Sequence, residues 1–247
     1  MKSEITLTEI NDKLKLYQYK DGLTFGTDAY LLYAYMKKRA KDTACDFGSG
    51  TGIISLLAAS KGKYDHIHSC ELQKEYFDLI QMNVAENCLS HKITAHNCDV
   101  CSLSNDFFDK CVDVVFTNPP YMKNDSGKSN EFEIKNIARH ETCGSIYDFC
   151  ASASRVLKHG GYFYCVYRPD RLCDLFDALR SSDLEAKRVT FVHSRINLEP
   201  CLVLIEAKKG ARASARITKP LIMYNIDNSY TDDLNYIYEN GDFNEQY

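Results

Sequence analysis

The sequence predicts an α/β protein built on a doubly wound, mostly parallel sheet of seven strands, with an antiparallel strand hairpin at its C-terminal edge. Two observations carry this. Short apolar runs alternate with helical patterns, and the runs are apolar throughout rather than at every second residue, as strands read when helices cover both faces of a parallel sheet. Towards the end the alternation stops, and two strand-like runs, Lys187–His193 and Cys201–Lys208, follow one another across a short polar connection.

Taken in order, a short leader precedes a helical pattern over Thr27–Arg39. Strand runs follow at Thr43–Phe47, His66–Leu72, Ile93–Asn97, Val112–Thr117 and Tyr162–Tyr167, with helical patterns at Ile53–Lys61, Glu75–Asn87 and Ile146–Lys158 between them. Tyr76, Phe77, Ile80 and Val84 share one helix face, and Leu172, Leu175, Phe176 and Leu179 repeat the pattern, so these faces cover the sheet through right-handed crossovers. Met122–Cys143 is long, polar and weakly patterned, which marks a functional loop.

The 247 residues, 45% hydrophobic and 26% charged, match an ordinary globular chain and exclude wholesale disorder, fibres and disulfide-rich miniature folds. No apolar run follows the basic residue of MKSEITLTEINDK and no stretch of about 18 apolar residues occurs, so a cytoplasmic protein without a membrane span is expected. Eleven cysteines, several inside apolar runs (Cys70, Cys150, Cys165, Cys201), read as reduced thiols. The net charge is −4, but residues 227–247 hold six acids and no Lys or Arg. A domain over residues 1–226, including the N-terminal segment 1–41, is therefore expected beside an acidic tail at 227–247. That domain has 30 basic against 28 acidic residues, a net of +2. Lys208, Lys209, Arg212, Arg216 and Lys219 form a run without an acid, either a basic surface or a solvated loop.

At the end of the first predicted parallel strand stands Asp46-Phe47-Gly48-Ser49-Gly50-Thr51-Gly52, immediately before the helical Ile53–Leu57. A strand entering glycines at a helix N-terminus lets a ligand meet the backbone closely and reach free N–H groups. The G-x-G-x-G spacing differs from the dinucleotide fingerprint, which counts against a nicotinamide cofactor and an oxidoreductase. Glu71, 25 residues after Asp46, is placed to accept both ribose hydroxyls, and Asp99 to accept from an adenine amino group, with Leu72 and Val100 beside them. Solvent-facing loop acids are the alternative account. The constellation resembles the class I S-adenosylmethionine-dependent methyltransferases, which implies S-adenosyl-L-methionine as cofactor.

After the fourth parallel strand comes Asn118-Pro119-Pro120-Tyr121. This resembles the signature of methyltransferases acting on a nitrogen conjugated to a planar system: adenine N6, cytosine N4 or a glutamine amide. Such a nitrogen delocalises its lone pair, and acceptors on Asn118 and the Pro119 carbonyl can draw it towards tetrahedral geometry, while Tyr121 offers a stacking face. Asn-Pro also initiates turns, the competing reading.

The blocks Gln18–Leu32, Ala138–Glu141, Tyr167–Leu172 and Pro220–Tyr224 resemble, in this order, the bacterial valine tRNA adenine-N6 methyltransferase family over about Leu16 to Tyr238. The resemblance implies tRNA as substrate and partner, with adenine 37 as target. It makes Phe25, Gly26, Thr27 and Asp28 a lid over the cofactor, with Thr27 as a helix N-cap and Asp28 as a helix-dipole residue in the alternative. It places Arg139, His140, Arg168 and Arg171 on RNA phosphates, and Lys123, in a loop whose lysines are balanced by acids, and Lys208 and Lys209, from the basic run, join them as RNA-binding candidates. Ordinary ion pairs such as Arg139 with Glu141 or Arg171 with Asp170 are the alternative. A glutamine methyltransferase is disfavoured because only roughly 40 residues precede the glycine loop. Methylation of another nucleic acid and a non-catalytic RNA-binding module remain rival readings. No metal is expected: Cys98, Cys101 and His96 resemble a zinc half-site but lack a second ligand pair. A monomer is expected.

Overall fold

A computed structural model of the protein describes residues 4–11, 14–20, 26–104, 106–119 and 144–247. The chain opens with an antiparallel hairpin, β1 (Ile5–Asn11) and β2 (Leu14–Tyr19), then α1 (Thr27–Tyr35). The βα alternation runs through β3 (Thr43–Phe47), α2 (Ile53–Ser60), β4 (His66–Glu71), α3 (Lys74–Glu86), β5 (Ile93–Asn97) and β6 (Val112–Thr117). It continues with α4 (Ile146–Val156), β7 (Leu157–Tyr167) and α5 (Leu172–Ser181). Strands β8 (Leu184–His193), β9 (Pro200–Lys209), β10 (Arg216–Ile217) and β11 (Leu221–Ile222) and helix α6 (Asp232–Asn240) close the chain.

The main sheet has the order β10-β8-β9-β7-β6-β3-β4-β5, with β11 pairing β8 beyond β10. All its strands are parallel except β9, which runs against both neighbours. The seven expected strands are thus present, extended by two two-residue strands. The hairpin forms, but its second strand is interior: β9 inserts between β7 and β8. Val203, Leu204 and Ile205 are consecutive and fully buried, so β9 needs cover on both faces and partners on both edges, which an outer position cannot supply.

Alternate strand residues feed two cores. Ala44, Val114, Phe116 and Leu204 face α1, α2, α3, β2 and α6, whereas Cys45, Val115, Phe163 and Ile205 face α4 and α5. Helix α1 stops at Tyr35, short of the expected Arg39, because Met36 turns extended and the Lys63 ammonium takes its carbonyl at 2.6 Å.

Two segments differ from the sequence expectation. The leader is structured: Leu14 and Leu16 are buried while Lys15 points outward, the period-two pattern of a strand covered on one side. Residues 227–247, set apart by their charge, fold against the body. Thr231 caps α6 by accepting from the Leu234 N–H, Leu234, Ile237 and Tyr247 are buried, and the acids meet cations of the body. Asp242 takes Lys63 Nζ at 2.6 Å and Asp233 takes Lys219 Nζ at 2.7 Å. Among the described residues no helix is long and apolar enough to cross a membrane, and no group of three or more ligating side chains could hold a metal ion.

Candidate active site

Parallel strands end on one rim of the sheet, and there the chain reverses from the β3-β4-β5 side to the β6-β7 side, which opens a crevice beside β3. Register aligns the strand ends: Phe47 pairs Cys70 on β4 and Thr117 on β6, and Glu71 pairs Asn97 on β5. The Thr117 hydroxyl donates to the Phe47 carbonyl at 2.8 Å, tying β6 to the start of the glycine loop.

Gly48, Gly50 and Gly52 all have positive φ (69°, 56° and 80°), a region costly for residues with a Cβ. The loop is held from below, since the N–H groups of Gly48 and Ser49 both donate to the Cys70 carbonyl at 3.0 Å. Two glycines meet different surroundings: a Cβ at Gly52 would lie 3.3 Å from the Ile80 side chain, whereas at Gly50 it would meet no protein atom within 4 Å.

Glu71 is buried at the loop's flank and accepts from the Gly50 N–H at 2.8 Å and the Gln73 N–H at 2.9 Å. Burial raises its pKa, and those N–H groups pull the other way by favouring the carboxylate. Asp99 accepts from the Cys101 N–H at 2.9 Å and so caps a short 3-10 turn over Val100–Ser102. Val100 is buried there, and Leu72 is 36% exposed beside Glu71.

Asp46 stands apart from this rim set. Its carboxyl is 1% exposed and accepts from Ser55 Oγ at 2.7 Å, and Ser69 Oγ donates to Ser55 Oγ at 2.7 Å. Burial pushes the Asp46 carboxyl up to about 7, against the hydrogen bonds from Ser55 and Ser49. It therefore braces β3 against α2 beneath the loop. The sequence reading missed Ser55 and Ser69; a lone hydroxyl inside the apolar run Ile53–Ala59 was the signal for Ser55.

Across the crevice, Asn118 Nδ2 donates to Asp28 Oδ2 at 2.8 Å, joining residues 90 apart in sequence. Asp28 lies in the first turn of α1, whose N-cap is Gly26. A Cβ on Gly26 would run into the Asp28 carboxylate and displace it from its present position, although the Gly26 φ of −107° is open to any residue. Thr27 is helical rather than the cap. Pro119 follows Asn118 and is buried. Phe25, Pro120, Tyr121, Lys123, Arg139 and His140 lie outside the described residues.

The remaining basic residues do not gather at the rim. Arg168 and Arg171 follow the carboxyl end of β7, on the crevice side, but each is engaged by an acid: Arg168 grips Asp170 through two bonds (2.9 and 2.6 Å), and Arg171 pairs Asp174. Lys208 pairs Tyr162 on β7 and so lies level with Val114, in the half of β6 away from Asn118. Lys209 is turned inward, its ammonium donating to the carbonyls of Ser154 (2.5 Å) and Leu157 (2.9 Å). Arg216 and Lys219 bond the C-terminal segment, at Gln246 and Asp233.

The glycine loop fits S-adenosyl-L-methionine. The space over Gly50 is one a Cβ would fill, and beside it the Glu71 carboxylate is an acceptor suited to vicinal hydroxyls.

Comparison with known proteins agrees. The family model described as "Methyltransferase small domain" matches residues 20–181. A protein of Phocaeicola vulgatus named tRNA1(Val) (adenine(37)-N6)-methyltransferase is 28% identical over 193 residues, 78% of this chain and 80% of the relative. One of the same name from Porphyromonas gingivalis is 26% identical over 214 residues, 83% of each chain. A solved structure from Agrobacterium tumefaciens, described as a predicted O-methyltransferase, has a TM-score of 0.69 at 22% identity, covering 88% of this chain and 98% of that one. With the rim geometry, these matches establish that the chain belongs to the methyltransferase small domain family, enzymes dependent on S-adenosyl-L-methionine.

Proposed function

We propose that this enzyme methylates the N6 amino group of an adenine in tRNA, adenine 37 of a valine tRNA being the first candidate. The observation that carries the reading is the Asp28–Asn118 hydrogen bond. A carboxylate only accepts, so Asp28 obliges Asn118 to present its amide nitrogen on that side and turns the carbonyl oxygen Oδ1 away from α1. Oδ1 and the Pro119 carbonyl then accept the two N–H bonds of the incoming amine. An adenine amine is planar and weakly nucleophilic; two acceptors off its plane favour a pyramidal nitrogen and direct its lone pair. No strong base is needed for that step, because the proton leaves only after the nitrogen has become cationic.

S-adenosyl-L-methionine, when bound, supplies an electrophilic methyl group on a sulfonium. On the protein side, Glu71 accepts from the ribose hydroxyls and the open backbone at Gly50 lets the nucleoside part approach, with Asp99 on the base; the N–H groups of Gly48, Ser49, Gly50 and Gly52 are already engaged within the protein, by Cys70, Glu71 and Ser49, and shape the loop instead of binding the ligand. Asp46 acts from beneath, keeping the loop's first strand seated on α2. Gly26 and Asp28 close the substrate side. Arg168 and Arg171 reach RNA phosphate by exchanging their present carboxylate partners for it. The names of the relatives from Phocaeicola vulgatus and Porphyromonas gingivalis support tRNA as the substrate class.

The test incubates the purified protein with methyl-labelled S-adenosyl-L-methionine and bulk tRNA from a strain lacking it, beside Asn118→Ala, and analyses the nucleosides. N6-methyladenosine is expected with the wild type, and a loss of about 10²- to 10³-fold in rate with the variant. Label entering protein glutamine or DNA, with none in tRNA, would reject the substrate and leave the methyltransferase intact.

A further inference from the structure

Asn83 is fully buried on α3, inside the helix face that otherwise carries Ile80 and Val84. Its side chain makes three hydrogen bonds, using both N–H groups. Oδ1 accepts the Tyr17 N–H at 2.6 Å, and Nδ2 donates to the Tyr17 carbonyl at 3.0 Å and to the Thr51 carbonyl at 2.9 Å. Thr51 stands between Gly50 and Gly52, within the glycine loop, whereas Tyr17 belongs to the separate N-terminal hairpin.

One turn further on, Asn87 repeats the clasp on Lys15: Oδ1 accepts its N–H at 2.9 Å, and Nδ2 donates to its carbonyl at 2.7 Å. The spacing explains how a helix can act as a strand partner. Four helical residues advance about 6 Å and two strand residues about 6.8 Å, so amides at i and i+4 match alternate residues of β2. Because the pairs are 15 with 87 and 17 with 83, β2 runs antiparallel to α3, towards the helix end that follows Glu71. At that end Tyr19 packs its ring edge-on to Tyr76, with centroids 5.8 Å apart, and its hydroxyl reaches the Glu75 carbonyl. In sequence the strand leads on to Gly26 and Asp28.

We propose that Asn83 is a positioning residue for cofactor binding, coupling the glycine loop to the N-terminal hairpin that leads to Asp28. Holding the Thr51 carbonyl fixes the orientation of the peptide joining Thr51 to Gly52, at the position where the chain must enter α2. Holding Tyr17 by both backbone groups fixes where the hairpin lies along α3. A single buried amide thus holds the glycine loop and the N-terminal hairpin at once.

Asn87 supplies the internal comparison, since it clasps the hairpin and does not touch the loop. The experiment measures the Kd of S-adenosyl-L-methionine by titration calorimetry, and the melting temperature without ligand, for wild type, Asn83→Asp, Asn83→Ser and Asn87→Ala. Asn83→Asp keeps the acceptor for the Tyr17 N–H and turns an acceptor towards two carbonyls. Both Asn83 variants are expected to raise Kd at least tenfold, while Asn87→Ala lowers the melting temperature and leaves Kd within twofold. Kd within twofold for the Asn83 variants, or an equal rise for Asn87→Ala, overturns the coupling. Should neither Asn83 variant fold, hydrogen exchange on the wild type decides: the cofactor is expected to slow exchange at the Tyr17 amide, and an unchanged rate rejects the proposal.

Discussion

The cofactor rim and the C-terminal third are both rich in charge and use it oppositely. On the rim, Glu71, Asp99 and Asp28 lie at the carboxyl ends of strands or at a helix start, engaged by backbone N–H groups or by Asn118. In the C-terminal third the charges neutralise one another across elements: Lys63 with Asp242, Lys219 with Asp233, Arg188 with Glu206. The rim acids are held by neutral donors, whereas each of these C-terminal acids is matched by a cation. Charge density along the chain therefore does not locate a binding face; what partners each charge does.

The largest test of that contrast is removal of residues 227–247. If these acids were a solvated tail, truncation after Ile226 would leave stability unchanged. Since it removes buried Leu234 and Ile237, each worth about 1.5–3 kcal/mol, and strips Lys63 of its carboxylate, we expect a loss of at least about 4 kcal/mol in urea unfolding.

Next in size, Gly50→Ala probes the rim alone. Its Cβ meets no protein atom, so folding bears only the about 1–2 kcal/mol of the positive φ, while cofactor affinity should fall by about 100-fold because the ligand's approach is blocked. Calorimetry beside thermal melting separates the two effects.

Asp46 sharpens the distinction between rim and brace through pH. Its folded pKa, about 7, lies above the unfolded value near 4, so the folded state binds the proton more tightly. The stability this gives is complete below about pH 4 and is lost as pH rises to about 7, by at most about 1.4 kcal/mol per pH unit. Asp46→Asn should remove that slope in urea melts at pH 5.5 and 7.5, while cofactor Kd at pH 7.5 stays within a few-fold.

The smallest effects distinguish the two ends of the sheet. Arg168→Ala should raise the KM for tRNA a few-fold and lessen its salt dependence by about one phosphate contact. Lys209→Met should leave that KM unchanged and cost about 1 kcal/mol of stability, because its ammonium holds Ser154 and Leu157.

Legibility followed how local the physics is. The strands Thr43–Phe47, Ile93–Asn97 and Val112–Thr117 stood in the sequence with the bounds the structure shows; Thr43–Phe47 and Val112–Thr117 are interior strands whose runs are mostly apolar because both faces are covered. The glycine loop was legible because Gly48, Gly50 and Gly52 occupy conformations that other residues avoid. The hairpin β1–β2 was less so, since its apolar alternation is short, Leu14 and Leu16 before the polar Gln18 on β2 and the exposed Ile5 and Leu7 on β1. Asn83 resembled an interruption of an apolar face, and its meaning depends on Tyr17 and Thr51, residues far off in sequence. The basic run from Lys208 to Lys219 left a basic surface and a solvated loop both open in the sequence; β9 carries Lys208 and Lys209 to the end of the sheet away from Asn118.

By itself, the sequence determined the α/β class, the parallel strands, the conformationally special glycines and the position of the Asn118-Pro119-Pro120 motif after the fourth parallel strand, all of which rest on periodicity, backbone sterics and functional groups within a few residues. Tertiary structure alone decided that β9 is interior, that the acidic C-terminal segment packs on the body, that Asp46 is a buried brace, and that Asp28 orients Asn118. Each of these depends on which distant groups meet, and so on the solvation and hydrogen-bond partners that the fold assigns to each side chain.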